Sequence, residues 1–281
     1  MPVGWHPVTE LYPAAVLWDL DGTLVDTEPY WMSAQTALIE SYGGTWSHEE
    51  ALDLVGSGLW RTAQTMQRHG VAMSEDAIVS LLSDQVMQQI SVKVPWRPGA
   101  RELLRAIREA GIPTALVTMS IGRMAEHVRS FIDFDAFDVV VSGDSVTNAK
   151  PNPEAYLLAA ATLGVDPRQC VAIEDSTTGV ASAAAAGVVT IGVPHMLSLA
   201  DSPADALWPT LDGRGVADLV ATFGEFAAQH ATRARLSVED ALSSAAASAD
   251  PMAAAVGATA IATAVSTAAA ATPATTESAT S

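Results

Sequence analysis

Two patterns of apolar residues divide the chain. In the first, short apolar runs stop at a polar or turn-forming residue: Ala15-Val16-Leu17-Trp18, Thr114-Ala115-Leu116-Val117-Thr118, Asp138-Val139-Val140-Val141-Ser142, Val171-Ala172-Ile173 and Val188-Val189-Thr190-Ile191. Runs this short, bounded by turn signals, predict buried strands. Between them apolar residues recur every three or four positions, which predicts helices over 100–110, 123–130, 153–163 and 179–186. Strands that alternate with helices and are apolar on both faces predict a parallel sheet covered on both sides, a Rossmann-like α/β core.

Residues 29–94 carry only the helical period. Tyr30, Ala34, Ala37, Leu38 and Ser41 form one stripe, and Gly43-Gly44 ends it. Ser47 with Glu50 three residues on predicts a capping box, and Gly56-Ser57-Gly58 breaks the period before a helix over 59–68. Ser74 opens a fourth helix with Ile78, Leu81, Leu82 and Val86 in register. The expected organisation is a core of residues 1–28 and 95–226, interrupted by a helical bundle at 29–94. From 227 to 281 aromatic residues are absent, no Lys or Arg follows Arg235, and Ala, Ser and Thr dominate from Leu242. With few large apolar residues to dock it firmly, this stretch is expected to be a disordered or partly helical tail.

Charge narrows the function. Asp and Glu total 32 against 14 Lys and Arg, a formal net charge of −18, which argues against nucleic acid as a main partner because a phosphate backbone calls for a basic face. The single cysteine, Cys170, rules out an intrachain disulfide, and its apolar run predicts a buried structural thiol in a reducing compartment. No signal-peptide pattern opens the sequence and no run is long and apolar enough to span a membrane, so a soluble, cytoplasmic monomer or weak homo-oligomer is expected. Only two lysines occur, Lys93 and Lys150.

Candidate chemistry collects where the predicted strands end, the place where parallel sheets build their sites. The first strand ends in Asp19-Leu20-Asp21-Gly22, the second in Thr118-Met119-Ser120, and the fourth in Glu174-Asp175-Ser176; Asn148-Ala149-Lys150-Pro151 follows the third. Two acids at i and i+2 point to one side of an extended backbone, and like charges so close need a cation, a proton or an electrophile. The whole set fits phosphoryl transfer. Asp19 and Asp175 are candidates to hold Mg²⁺, a hard cation suited to oxygen ligands, while Lys150 and Thr118 would bind the transferring phosphoryl oxygens. Asp19 would attack phosphorus as a carboxylate nucleophile, and Asp21 would move the proton.

Asp19-Leu20-Asp21-Gly22-Thr23-Leu24-Val25-Asp26 resembles the first signature of the haloacid dehalogenase superfamily, and Thr118, Lys150-Pro151 and Glu174-Asp175 stand where its other three signatures lie. The helical bundle is similar to the small cap of the β-phosphoglucomutase-like subfamily. The resemblance implies Asp19 as nucleophile and Asp21 as general acid/base. It also implies Mg²⁺ held by Asp19, the backbone carbonyl of Asp21, and Asp175, with Glu174 nearby, under a cap that closes over the core. True dehalogenases lack the second acid, which Asp21 supplies here. A phosphomutase of this type would need a cap arginine and lysine; Leu59 stands at the arginine's place, Arg61 lies two residues on, and no cap lysine precedes Lys93. The expected activity is therefore a phosphatase acting on a small phosphate monoester, with a sugar phosphate as candidate. Phosphomutase is the first alternative and a non-catalytic binding module the second. Arg61 is the candidate for a further substrate contact. Trp31, Trp46 and Trp60 are expected to pack the cap, and His48, His69, His127 and His195 to be surface or capping residues.

Overall fold

A computed structural model describes residues 11–247. The apolar runs form six parallel strands: β1 (Ala15–Trp18), β2 (Thr114–Val117), β3 (Val139–Val141), β4 (Cys170–Glu174), β5 (Val189–Gly192) and β6 (Ala206–Leu207), in the spatial order β3-β2-β1-β4-β5-β6. In β1 Val16, Leu17 and Trp18 pair on both sides; Leu17 stands between Ala115 and Ala172. Its side chains alternate as a two-residue period requires. Val16 and Trp18 enter the apolar layer on one face, Ala15 and Leu17 the layer on the other. The second layer is thin because alanines supply it: Ala155, Ala159, Ala160 and Ala183 all sit fully buried. Small residues there let the covering helices approach the sheet closely.

Four helices lie between β1 and β2 before the chain resumes its alternation: α1 (Glu28–Ser41), α2 (His48–Leu52), α3 (Leu59–Arg68) and α4 (Glu75–Val92). The capping box is present at α2, where the Ser47 side chain accepts from Glu50 N and the Glu50 carboxylate accepts from Ser47 N. Ser74 caps α4. The chain leaves and re-enters the sheet region at one place: Val25 bridges to Trp96, Asp26 N donates to Pro95 O at 2.7 Å, and Arg97 N donates to Leu24 O at 3.0 Å. Past this junction come α5 (Ala100–Glu109), α6 (Gly122–Arg129), α7 (Glu154–Leu163), α8 (Thr177–Ala185) and α9 (Val216–Ala247).

Two features differ from the sequence expectation. The two-residue β6 sits at the sheet edge in a stretch too short and too polar to show a strand period. The buried face of α1 is Glu28, Trp31, Ala34, Gln35, Leu38 and Ile39, whereas Ala37 and Ser41 are exposed. The stripe is rotated because this helix also faces a polar cleft, so its inward side is not wholly apolar. The last described helix, α9, runs to Ala247, so the described part of the expected disordered or partly helical tail is helical; residues 248–281 lie outside the described residues. Residues 11–227 form one compact unit that includes the helical block.

Candidate active site

The order of the strands dictates where the site forms. From β1 the chain builds outward through β2 and β3, then returns to the other side of β1 with β4. A crevice opens at the carboxyl ends of strands where the order reverses in this way. Asp19 follows β1 directly, Glu174 is the last residue of β4, Asp175 comes next, and Thr118 follows β2. Lys150, from the loop after β3, reaches into the same crevice.

There the acids and the lysine are buried together. Lys150 Nζ donates to Asp19 Oδ1 at 2.7 Å, to Glu174 Oε1 at 2.5 Å and to Val117 O at 2.9 Å, so all three of its N–H groups are engaged. Tyr156 Oη donates to the same Glu174 Oε1 at 2.6 Å. Burial opposes charge on Lys150, yet Asp19 and Glu174 hold its pKa above the usual lysine value. For Asp19, burial and the neighbouring Glu174 push the carboxyl well above the ordinary range, against the pull of Lys150. Asp175 is raised by burial, then by Asp19 and Glu174.

Asp19, Glu174 and Asp175 each offer an oxygen within 4.8 Å of the others. Three carboxylates against one ammonium leave two negative charges in a buried space, and Asp175 Oδ2 is sealed from solvent without a hydrogen-bond partner. An unsatisfied carboxylate oxygen in such a place is costly, and an all-oxygen set suits a hard divalent cation. The residues therefore fit a divalent metal. Gly22 makes the approach possible: its φ is +84°, and a Cβ there would lie 1.9 Å from Asp175 Oδ2.

Asp21 stands apart from this trio. Its Oδ1 accepts from Thr27 Oγ1 at 2.5 Å and Trp31 Nε1 at 3.0 Å, and its Oδ2 from Ser120 Oγ at 2.7 Å and Thr118 Oγ1 at 3.3 Å. Two of these donors come from the start of the helical block and two from the end of β2, so the acid is held from both sides. Above Asp19 and Asp21 a pocket opens between the strand ends and the block, with Glu28, Trp31, Met32 and Gln35 of α1 on one wall.

Six of the seven residues singled out from sequence thus meet in one place: Asp19, Asp21, Thr118, Lys150, Glu174 and Asp175. Arg61 is exposed on α3 and stands outside the pocket above Asp19; the neighbouring cleft that it lines with Trp60 and Asp144 is also lined by Met119 and Lys150 of the site. Trp31 both packs the block and donates to Asp21. His195 is not a surface residue: its side chain is 13% exposed and bridges Asp26 Oδ1 and Arg97 at 2.8 Å each. Cys170 is buried, and burial together with Asp166 raises its thiol to about 12, as a structural cysteine requires. Sequence patterning missed Tyr156, Glu28 and Gln35. Tyr156 had one signal, a lone aromatic hydroxyl among the alanines of α7.

The profile of the haloacid dehalogenase-like hydrolases matches residues 13–187, more than half of the chain. The chain belongs to that family. Among members of the family, hexitol phosphatase B of Escherichia coli (strain K12) is 33% identical over 188 residues, covering 64% of this chain and 83% of the relative. Fructose-1-phosphate phosphatase of the same strain is 32% identical over 192 residues, with 64% and 96% covered. The crystal structure of CbbY from Rhodobacter sphaeroides in complex with phosphate superposes with a TM-score of 0.66 at 27% identity, over 73% of this chain and 98% of that one. β-Phosphoglucomutase from Clostridium difficile, at 22% identity and a TM-score of 0.68, shares the fold. A haloacid dehalogenase-like fold with a helical cap is thus the architecture of this chain, and the chain is an enzyme of the phosphatase kind of hydrolase. Among its described residues no helix is long and apolar enough to cross a membrane.

Proposed function

We propose that this chain hydrolyses a small phosphate monoester, with a sugar or polyol phosphate as the substrate class, through an aspartyl-phosphate on Asp19 and with Mg²⁺ as the metal. The observation that carries the reading is the buried cluster itself: an acid beside an ammonium, two further acids that would hold a divalent cation, and a second acid held two residues away. Bound at Asp19, Asp175 and the Asp21 carbonyl, with Glu174 nearby, the metal would offset charge on the phosphoryl oxygens.

Asp19 Oδ1 is held by Lys150, which leaves Oδ2 to form the bond to phosphorus as the ester P–O bond breaks. Asp21 gives its proton to the departing alkoxide, then takes one from the water that attacks the aspartyl-phosphate and releases phosphate. The four donors around Asp21 orient its carboxyl for both steps. Thr118 and Ser120 lie where a phosphoryl oxygen would be, and Lys150 acts through its charge, since its N–H groups are engaged. Hydrolysis is favoured over phosphoryl exchange between two sites of one sugar because, among the described residues, Lys150 is the only cation lining this pocket, with Arg61 in the adjoining cleft. A second phosphate would face Glu28, Asp21 and Asp175 without a counter-charge.

The test is phosphate release from p-nitrophenyl phosphate and from sugar phosphates, with magnesium and with EDTA. Asp19→Asn should lose at least about 10⁴-fold in kcat, the scale of a lost covalent nucleophile. Turnover in that variant or in EDTA at the wild-type rate would refute the mechanism.

A further inference from the structure

Among the side chains over the reacting groups, one is built for a ligand that the fold itself does not supply. Gln35 is 7% exposed, its Oε1 is sealed from solvent, and that atom has no hydrogen-bond partner. Such groups are rare in folded proteins because each forfeits the hydrogen bond it would make in water. The amide lines the pocket above Asp19. It lies on the same face of α1 as Glu28 and Trp31, seven residues from Glu28, which places it about 10 Å further along the helix. Glu28 and Trp31 flank Asp21 at the phosphate end, so Gln35 stands at the far end, where the alcohol portion of a phosphate ester would extend. The rest of the lining on this side is largely apolar, with Met32, Ala51, Leu54 and Leu59, joined by Ser57 and Thr62.

We propose that Gln35 determines specificity by hydrogen-bonding a substrate hydroxyl remote from the phosphate, so that the pocket selects polyol or sugar monophosphates over alkyl phosphates of equal length. The proposal rests on the phosphatase reading above. An amide in a largely apolar wall rewards a hydroxyl at one depth and leaves an alkyl chain facing an unpaired polar atom, a discrimination that apolar contact alone does not reach.

The experiment measures kcat/KM for a six-carbon polyol monophosphate and for n-hexyl phosphate, with magnesium, in the wild type and in Gln35→Met. Methionine keeps the length of the side chain and removes both polar atoms. The polyol-to-hexyl ratio of kcat/KM should fall about 10- to 100-fold, the range for one lost buried hydrogen bond. The variant should also melt at or above the wild-type temperature, because no partner within the fold is lost. An unchanged ratio overturns the proposal, as does a melting temperature lower by more than a few degrees, which would make the amide a structural group. Wild type that releases phosphate from hexyl phosphate and not from the polyol refutes the role of Gln35 while leaving the phosphatase reading standing. Release from neither ester, nor from p-nitrophenyl phosphate, refutes both.

Discussion

Glu28 opens α1 inside the pocket, 8% exposed, and burial together with the charges of Asp21 and Asp26 moves its carboxyl from the usual 4.5 up to about 8. Between those two values the folded chain keeps a proton that the unfolded chain has released. Bound protons then outnumber those of the unfolded state, so stability falls as pH rises. The contribution is fully present below pH 4.5 and is lost as pH passes through about 8. Glu28→Gln keeps the shape and removes the titration. Relative to wild type, it should gain stability with pH at up to about 1.4 kcal/mol per pH unit, with an upper limit of about 5 kcal/mol above pH 8. The helix N-terminus favours the ionised form by up to about 1 kcal/mol, and water in the pocket screens it, so about 2 kcal/mol is the expected gain. For a domain of this size that is about 4–8 °C in melting temperature between pH 5 and pH 8. The assay is thermal unfolding of both proteins in EDTA at half-unit pH intervals, so that no added cation alters the charges nearby. Parallel curves, with a difference that does not grow with pH, would refute the reasoning.

Two further outcomes follow from the buried cluster. Lys150→Met strands Asp19 and Glu174 without their counter-charge and should cost about 3–5 kcal/mol, read by chemical denaturation at pH 7.5; a loss below 1 kcal/mol would contradict the ion pairing described here. Gly22→Ala should cost activity about 10²-fold or more, since its Cβ would fall 1.9 Å from Asp175 Oδ2 and displace that carboxylate, whereas Gly43→Ala, at φ +76° with nothing within 4 Å, should cost only about 1 kcal/mol of stability and no activity. Equal effects of the two substitutions on turnover would sink the argument.

Much of this was legible in the sequence because strand ends announce themselves. The runs before Asp19, Thr118 and Glu174 are short and apolar, and a parallel sheet must gather their carboxyl ends, so the reacting groups could be assembled before any coordinate was known. Lys150 was legible for another reason, its rarity in an acidic chain. The walls of the pocket were not legible. The inward face of α1 mixes Glu28 and Gln35 with Trp31 and Leu38, so the expected stripe shared Ala34 and Leu38 with it and missed its polar members. His195 is separated from Asp26 by 169 positions, and no local pattern could pair them. Arg61 lies between these cases, exposed on α3 in a cleft that borders the site through Met119 and Lys150.

The junction at Val25–Trp96 has a mechanical consequence. The helical block is tethered by two antiparallel segments bonded to one another, and the Asp26–His195–Arg97 cluster clamps that neck to the loop after β5. The block is also bonded to the core away from this neck, with Arg123 donating to Ser80 O at 3.0 Å and Thr178 Oγ1 to Gly56 O at 2.9 Å, so flexure at the neck would have to break those bonds. Trp31 rides on the block while Ser120 stays with the sheet, and both grip Asp21. Any flexure at the neck must therefore change the set of donors on that acid, which makes its solvation a direct readout of whether the pocket is shut.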